Sequence, residues 1–161
     1  MSVTIRKAVI EDLPMIQEIY RIGRKTMIES GNPNQWKDGY PGRDLLLQDM
    51  QKENLHVICD GGAIRGCFVL ASGADPTYTR IKEGNWSWDS SYCTIHRLAG
   101  FGGGIFEACM RYSQSVSDYI RIDTHRDNHI MRHLLEKAGF TRCGIIYVAD
   151  GSERIAYDLR K

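Results

Sequence analysis

Four glycines in a run of five residues, Gly100-Phe101-Gly102-Gly103-Gly104, constrain this chain more than any other stretch, because they separate a strand-like run from a helical one. Upstream, Tyr92–Ala99 reads as a strand. Downstream, Ile105, Ala108, Cys109, Tyr112 and Val116 fall at i, i+3, i+4, i+7 and i+11, the spacing of a helix with one face on a core. Glycines in such a turn let backbone amides crowd toward a ligand, and the helix start adds unpaired N–H donors and a partial positive charge. That arrangement suits a phosphate. The Gly-x-x-x-x-Gly-Lys-Ser/Thr loop is missing, and the dinucleotide fingerprint fails because its third glycine position holds another residue in either register. ATP, GTP and NAD are thereby disfavoured, ATP above all because no lysine accompanies the turn. A tight connection whose glycines serve only close packing is the competing reading.

The flanking sequence sets this unit in an α/β order. Thr4–Ala8 predicts a strand, and Glu11-Asp12-Leu13-Pro14 opens a helix with acidic residues near its start and a proline in its first turn. Leu13, Ile16, Ile19, Tyr20 and Met27 continue the apolar face of that helix, and Gly31-Asn32-Pro33-Asn34 stops it. An aromatic, turn-rich loop from Trp36 to Gly42 leads to a second helix over Asp44–Glu53. Leu55–Cys59 and Ala63–Leu70 read as strands joined by Asp60-Gly61-Gly62, hence a hairpin, and Ser72–Ser90 is polar and turn-rich. Tyr119–His125 reads as a strand and Asn128–Ala138 as a helix ended by Gly139; Thr141–Val148 and Arg154–Leu159 are strands around Asp150-Gly151-Ser152. The order predicts a mixed, largely antiparallel sheet with helices on both faces, in one domain over residues 1–161.

Composition excludes several classes of function. Lys plus Arg total 21 against 20 Asp plus Glu, so the net charge of +1 gives non-specific binding of nucleic acid or an anionic membrane no electrostatic basis at the whole-chain level, and any phosphate site must be local. No apolar run is long enough to span a bilayer, and Ser2–Ile10 lacks the apolar core of a secretory signal, so a cytoplasmic protein is expected. The five cysteines, Cys59, Cys67, Cys93, Cys109 and Cys143, are scattered with no C-x-x-C pair, which fits a reducing compartment. His125, His129 and His133 repeat every four residues, but no carboxylate or cysteine completes a metal set, and no metal is expected.

Thr94-Ile95-His96-Arg97-Leu98-Ala99, Gly102-Gly103-Gly104-Ile105 and Asn128-His129-Ile130-Met131-Arg132-His133-Leu134-Leu135-Glu136-Lys137-Ala138-Gly139-Phe140 resemble, in turn, the central strand, the later pyrophosphate loop and the Asn-led helix of the GNAT superfamily of N-acetyltransferases. Ile5-Arg6-Lys7-Ala8 with Glu11-Asp12-Leu13-Pro14 resembles that family's first strand and helix, so the likeness spans nearly the whole chain. Gly31-Asn32-Pro33-x-Gln35-Trp36 and Arg121-Ile122-Asp123-Thr124-His125-Arg126-Asp127-Asn128 resemble a bacterial subgroup of the family. Two positions depart from the pattern. Phe101 and Phe106 stand where the loop usually begins with Arg or Gln and ends with Gly or Ala, and Leu135 stands where many members carry a tyrosine that protonates the departing thiolate.

The resemblance implies a transferase using acetyl-CoA as cosubstrate, acting on a small amine or exposed amino group by direct attack in a ternary complex. A homodimer is left open, and a non-catalytic acyl-CoA-binding or ligand-sensing domain is the alternative. It implies a sheet splayed between Tyr92–Ala99 and Tyr119–His125, with the backbone at Leu98 and Ala99 pairing with the pantetheine arm. Phe101, Gly102, Gly103, Gly104 and Ile105 would face the pyrophosphate, Asn128 the pantetheine, and Trp36, Tyr40, Trp86 and Trp88 the acceptor side. Such a reaction needs alignment, a donor for the carbonyl oxygen and a route for one proton. Alternation places Arg121, Asp123 and His125 on one strand face, with His96 on the neighbouring strand. Free imidazole titrates near pH 6.5, so His96 or His125 is the candidate base, with Asp123 beside it. A structural network in which Asp123 pairs with an arginine is the alternative.

Overall fold

The computed structural model describes residues 3–161, so Ser2, at the head of the stretch read for a secretory signal, lies outside the described residues. The strands are β1 (Val3–Lys7), β2 (Leu55–Asp60), β3 (Ala63–Ser72), β4 (Cys93–Gly100), β5 (Tyr119–Thr124), β6 (Thr141–Tyr147) and β7 (Glu153–Arg160). The helices are α1 (Leu13–Glu29), α2 (Arg43–Gln51), α3 (Ile105–Val116) and α4 (His129–Lys137), with short 3-10 turns at Ile10–Asp12 and Pro76–Tyr78. All strands join one sheet in the order β1-β2-β3-β4-β5-β7-β6. Neighbours are antiparallel except β4 and β5, which are parallel. The expected α/β order and mixed sheet are therefore present.

Alternating side chains of β2 enter two different cores. Leu55 and Val57 of β2 pack with Ile16, Ile19 and Tyr20 of α1 and Leu46 of α2. Ile58 of the same strand packs with Phe106 and Cys109 of α3 and Leu135 of α4. Full burial of a side chain such as Ile16 or Ile19 contributes about 1.5–3 kcal/mol each, which is why α1 holds its position over the sheet. No helix among the described residues is long and apolar enough to cross a membrane.

Two irregularities create the cleft. β4 and β5 pair only at Cys93–Ile120 and Thr94–Arg121, and no pairing follows along the rest of either strand. The sheet splays there as the resemblance implies. On its other side β4 slips against β3, with Cys67 opposite Ala99 and Val69 opposite His96, so β4 carries one extra residue and Arg97 takes a left-handed φ of 53°. A bulge of this kind leaves backbone outside the regular ladder and re-aims side chains. Tyr20, buried in α1, donates its hydroxyl to the Arg97 carbonyl at 2.7 Å and ties the bulge to the helix.

One strand ends earlier than alternation predicts. β5 stops at Thr124, because the His125 Nδ1 accepts the Asp127 N–H at 3.0 Å and the His125 carbonyl accepts the Asn128 N–H at 2.9 Å. The period-two pattern that placed Arg121 and Asp123 on one face therefore does not extend to His125.

Candidate active site

A cavity of about 960 Å³ opens where β4 and β5 part. Its walls come from β4 at Thr94–Leu98, β5 at 122–124, the α1–α2 loop, the segment after β3, the start of α4 and the β6–β7 turn. Of the residues expected in catalysis, His96 and Asp123 line it and His125 does not; of those expected to hold the coenzyme, Leu98 and Asn128 line it. Ala99 and the turn Phe101–Ile105 lie outside that lining.

His96 is oriented by a residue the sequence reading missed. Asp75 Oδ1 accepts the Thr77 N–H at 2.8 Å and the Thr77 hydroxyl at 2.7 Å, capping the short 3-10 turn, and its Oδ2 faces His96 Nε2 at 3.1 Å. Burial pushes the Asp75 carboxyl up, but the bonds from His96 and from the Thr77 side chain and backbone outweigh it and bring it down to about 2. An ionised Asp75 assigns the Nε2–H tautomer to His96. Nδ1 then has no partner among the described residues and stays free to accept a proton. The available signal was Asp75-Pro76, an N-cap residue followed by an N1 proline.

This anchoring has a measurable consequence for acid stability. Folded Asp75 titrates about 2 and the unfolded group near 3.8, so its contribution is complete above about pH 4 and disappears as pH falls toward 2. Partial exposure limits it to about 1–2 kcal/mol. Asp75→Asn should therefore be less stable than the parent in urea at about pH 6, with the gap closing toward about pH 2–3; a gap independent of pH would contradict this account.

Asp123 does not pair with an arginine. Tyr78, buried in the same short turn, donates its hydroxyl to Asp123 Oδ2 at 2.7 Å. Burial raises the Asp123 carboxyl above its usual range, while His96, the Tyr78 hydroxyl and Arg154 pull it back. Arg121 lies with its guanidinium carbon 4.0 Å from the Tyr92 ring centre and 4.3 Å from that of Trp86, and donates to the Trp88 carbonyl at 2.9 Å. Trp86 thus belongs to the clamp around Arg121, and Trp88 carries Arg160 over its ring. Of the four aromatics expected at the acceptor side, Trp36 and Tyr40 line the cavity.

The two subgroup motifs meet through Gln35. Its Oε1 accepts from Asn32 Nδ2 and Asn128 Nδ2, each at 3.0 Å, from Thr124 Oγ1 at 3.3 Å and from the His125 N–H at 3.4 Å. Asn128 Oδ1 meanwhile caps α4 by accepting the Met131 N–H at 3.1 Å. Beside them, Arg97 donates to both oxygens of buried Asp49 at 2.9 Å and to the Tyr40 hydroxyl at 3.0 Å. Leu135, where a tyrosine would supply an acid, is fully buried in the core under α3.

The glycine turn keeps three backbone amides without a protein acceptor among the described residues. Gly102 and Gly104 take left-handed φ angles of 85° and 84°, and a side chain at Gly102 would collide with the Arg65 guanidinium. Phe101 donates its N–H to the Arg65 carbonyl at 3.0 Å, whereas the Gly102, Gly103 and Gly104 amides have no acceptor among the described residues. They sit at the start of a 12-residue helix.

No protein-family model matches the chain, and no curated protein matches it significantly. Solved structures do. An acetyltransferase of the GNAT family from Streptococcus agalactiae is 28% identical with a TM-score of 0.89, the match covering 99% of this chain and 95% of that one. A GNAT-family acetyltransferase from Listeria monocytogenes is 18% identical with a TM-score of 0.71, covering 99% and 95%. Naa50 from Arabidopsis thaliana, in complex with the bisubstrate analogue CoA-Ac-MVNAL, is 11% identical with a TM-score of 0.64, covering 100% of both chains. With its splayed β4–β5 pair, bulged central strand and glycine turn, this chain has the GNAT fold, and its structural neighbours are consistently GNAT-family acetyltransferases.

Proposed function

We propose that the chain, as one unit over residues 1–161, transfers an acetyl group from acetyl-CoA to a primary amine by direct attack in a ternary complex. The observation that carries this reading is the oriented imidazole of His96 facing the cleft between the splayed strands, with three unpartnered glycine amides at the start of α3. The Gly102–Gly104 amides, flanked by Phe101 and Ile105, receive the pyrophosphate. The pantetheine arm runs along Leu98 and Ala99, where the bulge frees backbone to polarise the thioester carbonyl, and passes Asn128. That Naa50, which has this fold, binds the bisubstrate analogue CoA-Ac-MVNAL supports a donor and an acceptor held together in one cleft.

The chemistry needs no covalent enzyme intermediate. The amine nitrogen forms the new C–N bond as the C–S bond breaks, and its proton passes to His96 Nδ1 while the thiolate leaves. Asp75 holds the ring, and Asp123 accepts a hydrogen bond from the second N–H of the attacking neutral amine. With Leu135 apolar, the thiolate takes its proton from water. Five free cysteines, all buried, fit a reducing compartment such as the cytoplasm.

Gly103→Glu tests the coenzyme site without disturbing the fold, since Gly103 has no left-handed φ and a side chain there meets open space. Its carboxylate should weaken acetyl-CoA binding by about 30-fold or more in calorimetric titration, with ATP and NAD as controls. Unchanged affinity would remove the pyrophosphate from this turn. A non-catalytic acyl-CoA-binding module is the second reading, favoured by the apolar Leu135; amine-dependent release of free thiol separates the two.

A further inference from the structure

Arg154 is a buried cation with no carboxylate among the described residues in contact with it. It is 6% exposed, lines the cavity and forms no ion pair among the described residues. Its Nη1 donates to the Ser152 hydroxyl at 2.9 Å and to the Glu153 carbonyl at 2.8 Å, and its Nη2 to the Gln35 carbonyl at 3.2 Å. A guanidinium has five N–H donors, so Nε–H and one Nη2–H remain, the number that a bidentate carboxylate takes. Burying such a charge uncompensated is costly. Asp123 and Asp150 act on Arg154 only through space: Asp123 Oδ2 accepts from Tyr78, Asp150 Oδ1 accepts from the Ser152 N–H and hydroxyl, and neither carboxylate stands at ion-pair distance from it.

Gln35 presents a second free donor to the same cavity. The His125 N–H is an obligate donor, and Asn128 is held by its cap so that its Nδ2 points at Gln35; both require the Gln35 oxygen, not its nitrogen, at the hub. Nε2 therefore sits on the other branch of the amide, with no partner among the described residues, on a side chain that lines the cavity.

We infer that the acceptor amine carries a carboxylate, seated on Arg154 and on Gln35 Nε2, so that the substrate class is amino-acid-like and not a simple alkylamine or a neutral amide. This deepens the proposed acetyl transfer and rests on it. The carboxylate end is bound by β7 and the α1–α2 loop, leaving the amine to reach His96 across the cleft. The field of Arg154 reaches the cavity at Asp123, whose carboxyl it pulls down against burial.

The test uses pairs of amines that differ only by carboxylate against carboxamide, with rates compared for the unprotonated amine. The parent should favour the carboxylate member by about 10- to 100-fold in kcat/KM. Arg154→Gln should bring that ratio close to one, with Arg154→Lys restoring part of it. Gln35→Glu keeps the accepting oxygen of the hub and replaces the amide nitrogen by a second carboxylate oxygen, so it should invert the preference, and it carries the test if Arg154→Gln fails to fold. Equal rates on both members with the parent enzyme overturn this inference and leave acetyl transfer standing. Acetyl-CoA binding without product from any amine overturns both.

Discussion

Replacing His96 by alanine is expected to lower kcat/KM by about 10²- to 10⁴-fold while leaving acetyl-CoA affinity within about twofold of the parent. In the proposed arrangement the ring serves the acceptor amine, so its loss removes the proton route and not the coenzyme contacts. A base must be neutral to act, so activity falls as pH falls through its ionisation, and His96→Ala should remove that acid limb from the pH–rate profile. Asp75→Asn should give a smaller loss, because it leaves the imidazole in place and disturbs only its tautomer and orientation. Rate measurements over a pH series, with binding followed separately, decide the matter. Near-parental turnover with the acid limb intact would exclude His96 as the base, and a loss that follows His125→Ala instead would pass the role to that residue.

Arg97→Met is expected to cost about 3–5 kcal/mol of stability, because it leaves the Asp49 carboxylate buried without its partner. The pair is enclosed between α2 and the bulge of β4: Asp49 is 5% exposed, and burial raises its carboxyl despite Arg97 at hydrogen-bonding distance. That balance shows that desolvation outweighs the attraction for the charged acid. A pair of this kind is costly to break singly and far less costly to remove whole. The double variant Asp49→Leu with Arg97→Met should therefore recover most of the loss in urea denaturation, and the coupling in the mutant cycle should exceed about 1 kcal/mol. A single-variant cost below about 1 kcal/mol would mean that water reaches the pair.

The elements were legible because their determinants are local. The spacing of Leu13, Ile16, Ile19 and Tyr20 sets the buried face of α1, Asp60-Gly61-Gly62 closes the β2–β3 hairpin, and Gly139 with a φ of 97° ends α4. The glycine turn was legible for the same reason, since left-handed angles at Gly102 and Gly104 are what glycine permits. The limit of local reasoning shows at His125. Alternation continued the strand through it, but two hydrogen bonds to residues just beyond it end β5 at Thr124.

The sequence alone determined the order of strands and helices, the glycine turn and the residue types available to the cleft, because periodicity, capping and glycine angles act within a few neighbouring residues. Only the tertiary structure decided which of those residues meet. Asp75 reaches His96 across 21 positions, Tyr78 reaches Asp123 across 45, and Gln35 reaches Asn128 across 93. None of these pairings leaves a periodic trace in the chain. They exist because a bulge in β4 and the parting of β4 from β5 open one polar cleft, into which separate loops bring side chains that have no local reason to be neighbours.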